Sequence, residues 1–400
     1  MVPLAFLVRG GYHEVYTPDG QSFLSWAVVR VSDGSAVPCH ESDGRLTIKV
    51  LDRIADARLM EIMGQMPQPQ PQPQPQAFNV DFNALFNANK PAGSKALLEA
   101  LRKERKADAI LTVGFVDFLA VNPMLAGDVV LQLEPLIVEL GRVGKLELVL
   151  RSTGGFAEFP WRIVSVLRAF CDELEAVVPR LAMSGATHIA IGADNLVMGP
   201  FSALGSVDPT RNHALLPRDQ QGNPTPASVQ DLRHCLEFLK KNVPKKEQVG
   251  QLVGQLFSHV HPLAIGAIEQ SYELSRLITR KVLATRKKKL TPKHVEAVVE
   301  QLAGKYFSHG YPISRDEVET DLKLPVTRAE AGDSLFATVE ALNTYYTGIF
   351  EKQQQVQGPL PLSFRITGFV ETPKTRRVLC QVFGPNGQAL AGTWLNEANS

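Results

Sequence analysis

The chain has 400 residues and lacks most of the features that tie a protein to a special environment or partner. Its four cysteines, Cys39, Cys171, Cys235 and Cys380, include no Cys-x-x-Cys pair. That spacing argues against a zinc ribbon or a disulfide framework and reads as reduced, structural thiols, with no metal site. No apolar run is long enough to span a bilayer, and the opening MVPLAFLVRGG has neither the basic flank nor the cleavage site of a secretory signal. A cytoplasmic setting without membrane contact is therefore expected. Charge of one sign is also missing: 42 Lys and Arg stand against 41 Asp and Glu, so no chain-wide field draws nucleic acid. A GxxxxGK[ST] loop is absent, which leaves any ATP-driven unfolding to a separate chain, and no cofactor is expected.

What is present falls into four stretches. Residues 1–62 carry β-rich segments, SFLSWAVVRV and RLTIKV, followed by a short helical stretch, LDRIADARLMEIMGQM. Residues 63–93 hold PQPQPQPQPQ, whose alternating prolines remove backbone donors and favour an extended linker. From 94 to 355 helix-like and strand-like segments alternate, which predicts an α/β core that becomes mostly helical after Asn212. In that part Thr291 and Pro292 mark a helix start, and SRDE at 314–317 has capping-box spacing. Residues 356–400 return to β, with GPNGQ as a hairpin turn. Forty residues make too small a core alone, and the N-terminal strands are one set of partners for them.

Two junctions in the α/β part bear on chemistry. The strand KLELVLR ends at Gly154 and Gly155, and FAEFPWRIVSVLRAFCDELEA continues with Phe159, Ile163, Val166, Leu167, Phe170 and Leu174 at helical spacing. Glycines there serve a plain turn equally well. Further on, LAMSGATHIA sets Ser184 and Gly185 at a second strand-to-helix junction, where a helix start leaves N–H groups without partners. If both corners converge, the N–H groups of Gly155 and Gly185 hold one oxyanion beside the Ser184 hydroxyl.

The segments LVLRSTGGFAEFPWRIVSVLR, VPRLAMSGATHIAIGADNLVMGPFSALGSVDP, HPLAIGAIEQSYELSRLITRKVL and YFSHGYPISRDEV together resemble the serine dehydrogenase proteinase family. That family lies within the wider class of Clp-type and signal-peptide-peptidase-A-type serine peptidases. The resemblance implies a ClpP/crotonase-like core of repeated β-β-α units, with a helical C-terminal part and β-rich terminal extensions. It further implies Ser184 as nucleophile, Gly154 and Gly155 as the oxyanion loop, Gly185 as second donor, a peptide or protein substrate and a homo-oligomer. Two positions depart from the usual pattern: Thr153 stands where proline precedes the glycine pair, and Gly185-Ala186 reverses the usual Ala-Gly.

A serine needs a neighbouring proton acceptor. His261 is the leading choice, with Asp208 orienting it; His213 and the lysines 240, 241, 245 and 246 are the alternatives. His309 reads as structural, and His188 stands too close in sequence to Ser184 to serve. The basic run RKVLATRKKKL suits a helix end as well as a polyanion site. Peptide hydrolysis through a Ser184 acyl-enzyme is thus the expected activity. A catalytically silent scaffold is the main rival, and a crotonase-like enzyme acting on an acyl thioester ranks behind it.

Overall fold

The structure, a computed structural model, describes residues 80–116, 127–155, 159–211, 213–219, 225–243, 245–356, 361–387 and 389–399, together with the backbone of five short strands nearer the N-terminus. The chain divides into two compact units, 1–79 and 80–400. In the first, β1 (Ala5–Arg9), β2 (Tyr12–Tyr16) and β3 (Phe23–Ser25) form an antiparallel sheet, and β4 (Ala27–Val29) pairs β5 (Ala36–Pro38). The expected strand RLTIKV, the helix after it and the Pro/Gln linker lie outside the described residues.

The second unit opens with α1 (Phe82–Asn89) and α2 (Lys95–Glu104), then alternates: β6 (Ala109–Phe115), α3 (Gly127–Leu140), β7 (Val143–Arg151), α4 (Phe159–Phe170), β8 (Cys171–Val178). β6, β7 and β8 pair in parallel, and six consecutive residues of β7, Leu146 to Arg151, are buried. A strand covered on both faces needs that kind of unbroken run. The helix expected to reach Leu174 stops at Phe170, and Leu174 belongs to β8. Helix and strand abut without a turn, and Leu174 fits either period because it faces the core in both.

The parallel order continues through β10 (Asn195–Met198) to β15 (Val326–Arg328). At the other edge β17 (Leu362–Glu371) joins β6 antiparallel and carries β18 (Thr375–Phe383) and β19 (Ala389–Ala398), with β16 (Gln353–Val356) beside the first half of β17. Among the described residues this makes one nine-stranded sheet. The C-terminal strands thus complete themselves on β6, and Gly368 lets β17 come close, since a Cβ there would sit 2.7 Å from the Phe115 ring. Asn386-Gly387 turns the β18–β19 hairpin with Gly387 at φ 74°.

Leu148, Leu150, Leu174 and Ala176 share one buried cluster with Ile163, Val164 and Leu167 of α4, and α4 packs in turn on a long helix, α8 (Pro262–Ala284). The opposite face of the sheet lies under α2 and α11 (Ser334–Phe350), where Tyr346 Oη lies 2.9 Å from Thr112 Oγ1. Buried thiols agree with the reading of structural cysteines: burial pushes Cys171 up to about 11 and Cys380 to about 12, while Cys235 is exposed. A mixed α/β core is therefore established. No helix among the described residues is long and apolar enough to cross a membrane.

Candidate active site

Both glycine-bearing corners lie at the carboxyl ends of strands and meet. Past β7, Ser152 bridges Ala182 of the short strand β9 (Leu181–Ala182): Ser152 N–H donates to Leu181 O at 3.0 Å, and Met183 N–H to Ser152 O at 2.9 Å. This pairing lays residues 152–155 alongside 181–184. Gly154, at φ 115°, packs so tightly that a Cβ on it would sit 2.7 Å from Ser184 Cβ and 2.9 Å from Met183 O. Neither the space nor the backbone angle accepts a side chain. A Cβ on Gly185 would in turn sit 3.3 Å from Gly155 N and 3.3 Å from Pro160 Cγ. The missing side chains at 154 and 185 therefore let one corner rest on the other.

Ser184 itself has φ 49° and ψ −117°, a conformation that a residue with a Cβ adopts at a cost on the order of 1–3 kcal/mol. Such strain persists only where surrounding bonds impose it. Here they come from α5 (Gly185–Ile191), whose Thr187 Oγ1 lies 2.7 Å from Ala182 O and 3.0 Å from Gly205 O and accepts from Gly205 N at 2.9 Å. His188, one turn beyond Ser184, is fully buried with Nε2 3.2 Å from Ser275 O, and burial lowers it to about 4. Its imidazole is neutral and ties α5 to α8. Ser184 remains partly exposed at the head of these clamps.

The third strand at the corner is β11 (Ala203–Gly205), parallel to β9 and antiparallel to β14 (Pro312–Ser314). Beyond it come Ser206, Val207 and Asp208, then the short antiparallel pair β12 (Thr210–Arg211) and β13 (Ala227–Ser228). α9 (Pro292–Glu300) ends in a π turn at Gln301–Lys305, and the wider turn presents Leu302 O to Val207 N at 3.0 Å and to Ser206 Oγ at 2.9 Å. Ser206 Oγ also contacts the carboxylate of Asp208, which is buried, and Asp208 Oδ1 lies 3.3 Å from His309 Nδ1. The Asp208 carboxylate raises His309 above the usual imidazole range. Its side chain keeps 38% of its surface exposed.

Asp208 is therefore joined to His309 and not to His261 or His213. His261 is the exposed N-cap of α8, where its Nδ1 accepts from Leu263 N at 3.1 Å. His213 Nδ1 likewise accepts from Leu215 N at 3.2 Å. An imidazole whose Nδ1 lone pair is committed in this way carries its proton on Nε2 and has no second acceptor. Lys240, Lys241 and Lys245 are exposed at the ends of α6 (Val229–Asn242) and α7 (Lys246–His259), with Lys240 paired to Glu237 at 3.2 Å. Spacing along the chain did not single out the Asp208 partner, because the two residues are 101 apart; the Asp-Pro turn after β11 and the His-Gly before β14 were the signals on the page. Within the basic run, Arg286 is buried and caps α5 by donating to Ile191 O at 2.9 Å and Asp194 O at 2.7 Å. Lys287 pairs Glu173 at 3.1 Å. Among the described residues no group of His, Cys, Asp and Glu is arranged to hold a metal ion.

No protein-family model matches the chain. An uncharacterised protein of Methanocaldococcus jannaschii is 38% identical over 64 residues, which is 16% of this chain and 22% of that protein, so the chain matches about a fifth of its relative's length. Two solved structures of the 1510-N membrane-bound stomatin-specific protease are similar to it. One is a lysine-to-alanine mutant with a substrate peptide, at TM-score 0.31 and 13% identity, covering 61% of this chain and 81% of that one. The other is a serine-to-alanine mutant, at TM-score 0.30 and 14% identity, covering 62% and 86%.

Proposed function

We propose that the chain is a serine peptidase-like hydrolase of the ClpP/crotonase type that cleaves peptide bonds through an acyl-enzyme on Ser184. One observation carries the reading: two glycine corners from separate β-α units close on a strained, partly exposed serine. The sequence segments that resemble the serine dehydrogenase proteinases supply the substrate class. In the reaction Ser184 Oγ attacks the scissile carbonyl carbon as its proton leaves, and the carbonyl electron pair moves onto oxygen between the N–H groups of Gly155 and Gly185. Gly154 lets the loop approach and Gly185 begins a helix, where no preceding turn claims its N–H. Donors fixed before the reaction stabilise the developing charge without reorganising, and loss of one such donor costs roughly 10²–10³ in rate. Collapse breaks the C–N bond and releases the amine; water then frees the carboxylate and restores the hydroxyl.

Hydrolysis of an unfolded protein substrate, followed by release of new amino termini, tests this. The chain is expected to release them and Ser184→Ala to release none while melting at a similar temperature. Cleavage undiminished in Ser184→Ala rules the assignment out, and no cleavage by either chain leaves the silent scaffold as the better reading. Self-association through a homo-oligomer belongs to the same proposal and is checked by sedimentation.

A further inference from the structure

The Ser184 reading leaves its proton acceptor to be named, and the inference drawn next rests on that reading. We propose that His309, held by Asp208, is the general base and acid for Ser184. The assignment follows from which nitrogen each imidazole has free. A carboxylate only accepts hydrogen bonds, so the 3.3 Å contact between Asp208 Oδ1 and His309 Nδ1 fixes the proton on Nδ1 and leaves the Nε2 lone pair open. His261 and His213 are in the reverse state, each with Nδ1 accepting from a backbone N–H. His188 is enclosed and bound to α8. Among the described residues His309 thus combines a carboxylate on one ring nitrogen, an uncommitted acceptor on the other, and partial exposure.

Strand register brings it toward the nucleophile. Leu204 lies abreast of Ala182, and Gly205 abreast of Pro312. β9 and β11 therefore run side by side into the two segments that carry Ser184 and Asp208, and Asp208 is in contact with His309 just before β14. Asp208 is held from behind, since Ser206 contacts its carboxylate while the π turn anchors Ser206 and Val207 through Leu302 O. Asp208 acts here as a positioning residue: it sets the tautomer and stabilises the imidazolium. Among the described residues it is also the charged group recorded against His309.

The proton balance is closed. Nε2 takes the Ser184 proton as the Oγ–C bond forms, and the imidazolium returns it to the leaving amine as the C–N bond breaks. In the second half Nε2 takes a proton from water as it attacks the ester, then gives it to Ser184 Oγ.

The test is the rate at which a fluorophosphonate probe labels the full-length protein, with the modified serine located by mass spectrometry. His309→Ala and His309→Gln are expected to label about 10²–10⁴-fold more slowly at unchanged melting temperature, with added imidazole restoring part of the rate in the alanine variant. The wild-type rate should fall as pH drops through a midpoint above the ordinary imidazole value, because the neutral ring is the active form. Asp208→Asn should move that midpoint down. If both His309 variants label Ser184 at the wild-type rate, or if the loss follows His261→Ala instead, the assignment of His309 is overturned while Ser184 stands. If the wild type shows no label on Ser184, both fall together.

Discussion

Two buried polar clusters in the 80–400 unit make an instructive pair. Around Arg376, on β18, donors and acceptors close on themselves. The guanidinium meets Glu397, donates to Ala92 O at 3.1 Å, Tyr345 Oη at 2.9 Å and Pro91 O at 3.1 Å, and is fully buried. Next to it Asn399 donates to Ser94 Oγ at 2.7 Å and accepts from Ser94 N at 2.9 Å, and Tyr346 donates to buried Glu371. This cluster fastens residues 90–94 to the C-terminal strands. Around Asp208 the network stops one bond short, at a ring nitrogen with a lone pair to spare. Saturation suits a structural clasp, and the open nitrogen is what the proposed proton transfer uses.

The contrast can be broken from either side. The largest effect is expected at the clasp: Arg376→Ala removes the counter-charge of buried Glu371, leaves Glu397 to Lys90 alone, and should cost about 3–5 kcal/mol in denaturant unfolding, with the labelling rate of the folded fraction unchanged. Gly154→Ala comes next. A side chain must enter where backbone and Ser184 Cβ already lie within 3 Å, so stability should fall by roughly 1–3 kcal/mol and fluorophosphonate reactivity by on the order of 10²-fold as the corners part.

A third cluster sharpens the rule through pH. Glu147 on β7 is fully buried; Arg105 Nε lies 3.3 Å from Oε1, while Oε2 has no hydrogen bond and has Lys145 Nζ at 4.0 Å. Burial, against the pull of Arg105, raises it from 4.5 to about 7, with Glu175 adding to the rise. The folded state therefore holds a proton that the unfolded chain has lost, and stability present below pH 4.5 is given up as pH rises through about 7. Melting curves across that range should show the decline, and Glu147→Gln should flatten it. The smallest effect is expected at Gly387→Ala. There φ is 74° but nothing lies within 4 Å of the missing Cβ, so only the angle matters, at about 1–2 kcal/mol, and labelling is untouched.

Local chemistry was legible in the sequence wherever it decides the structure. Thr291 caps α9 with Pro292 behind it, Ser314 and Glu317 form the capping box of α10 (Arg315–Thr320), and Asn386-Gly387 makes the hairpin. The glycine pair and Ser184 stood out because strand-to-helix corners carry their own signature of small residues. What stayed hidden depends on long-range register. Leu174 reads as helix until β8 is seen to start directly at Cys171, and β17 finds β6 across most of the unit. The Asp208–His309 pair is made by β11 and β14 lying side by side, which neither segment announces alone.

The most direct measurement is a crystal structure of the phosphonylated protein. The adduct should sit on Ser184 with its phosphonyl oxygen within about 3 Å of both Gly155 N and Gly185 N. An adduct on another residue, or an oxygen turned to solvent away from those two amides, contradicts the convergence of the two corners on one oxyanion.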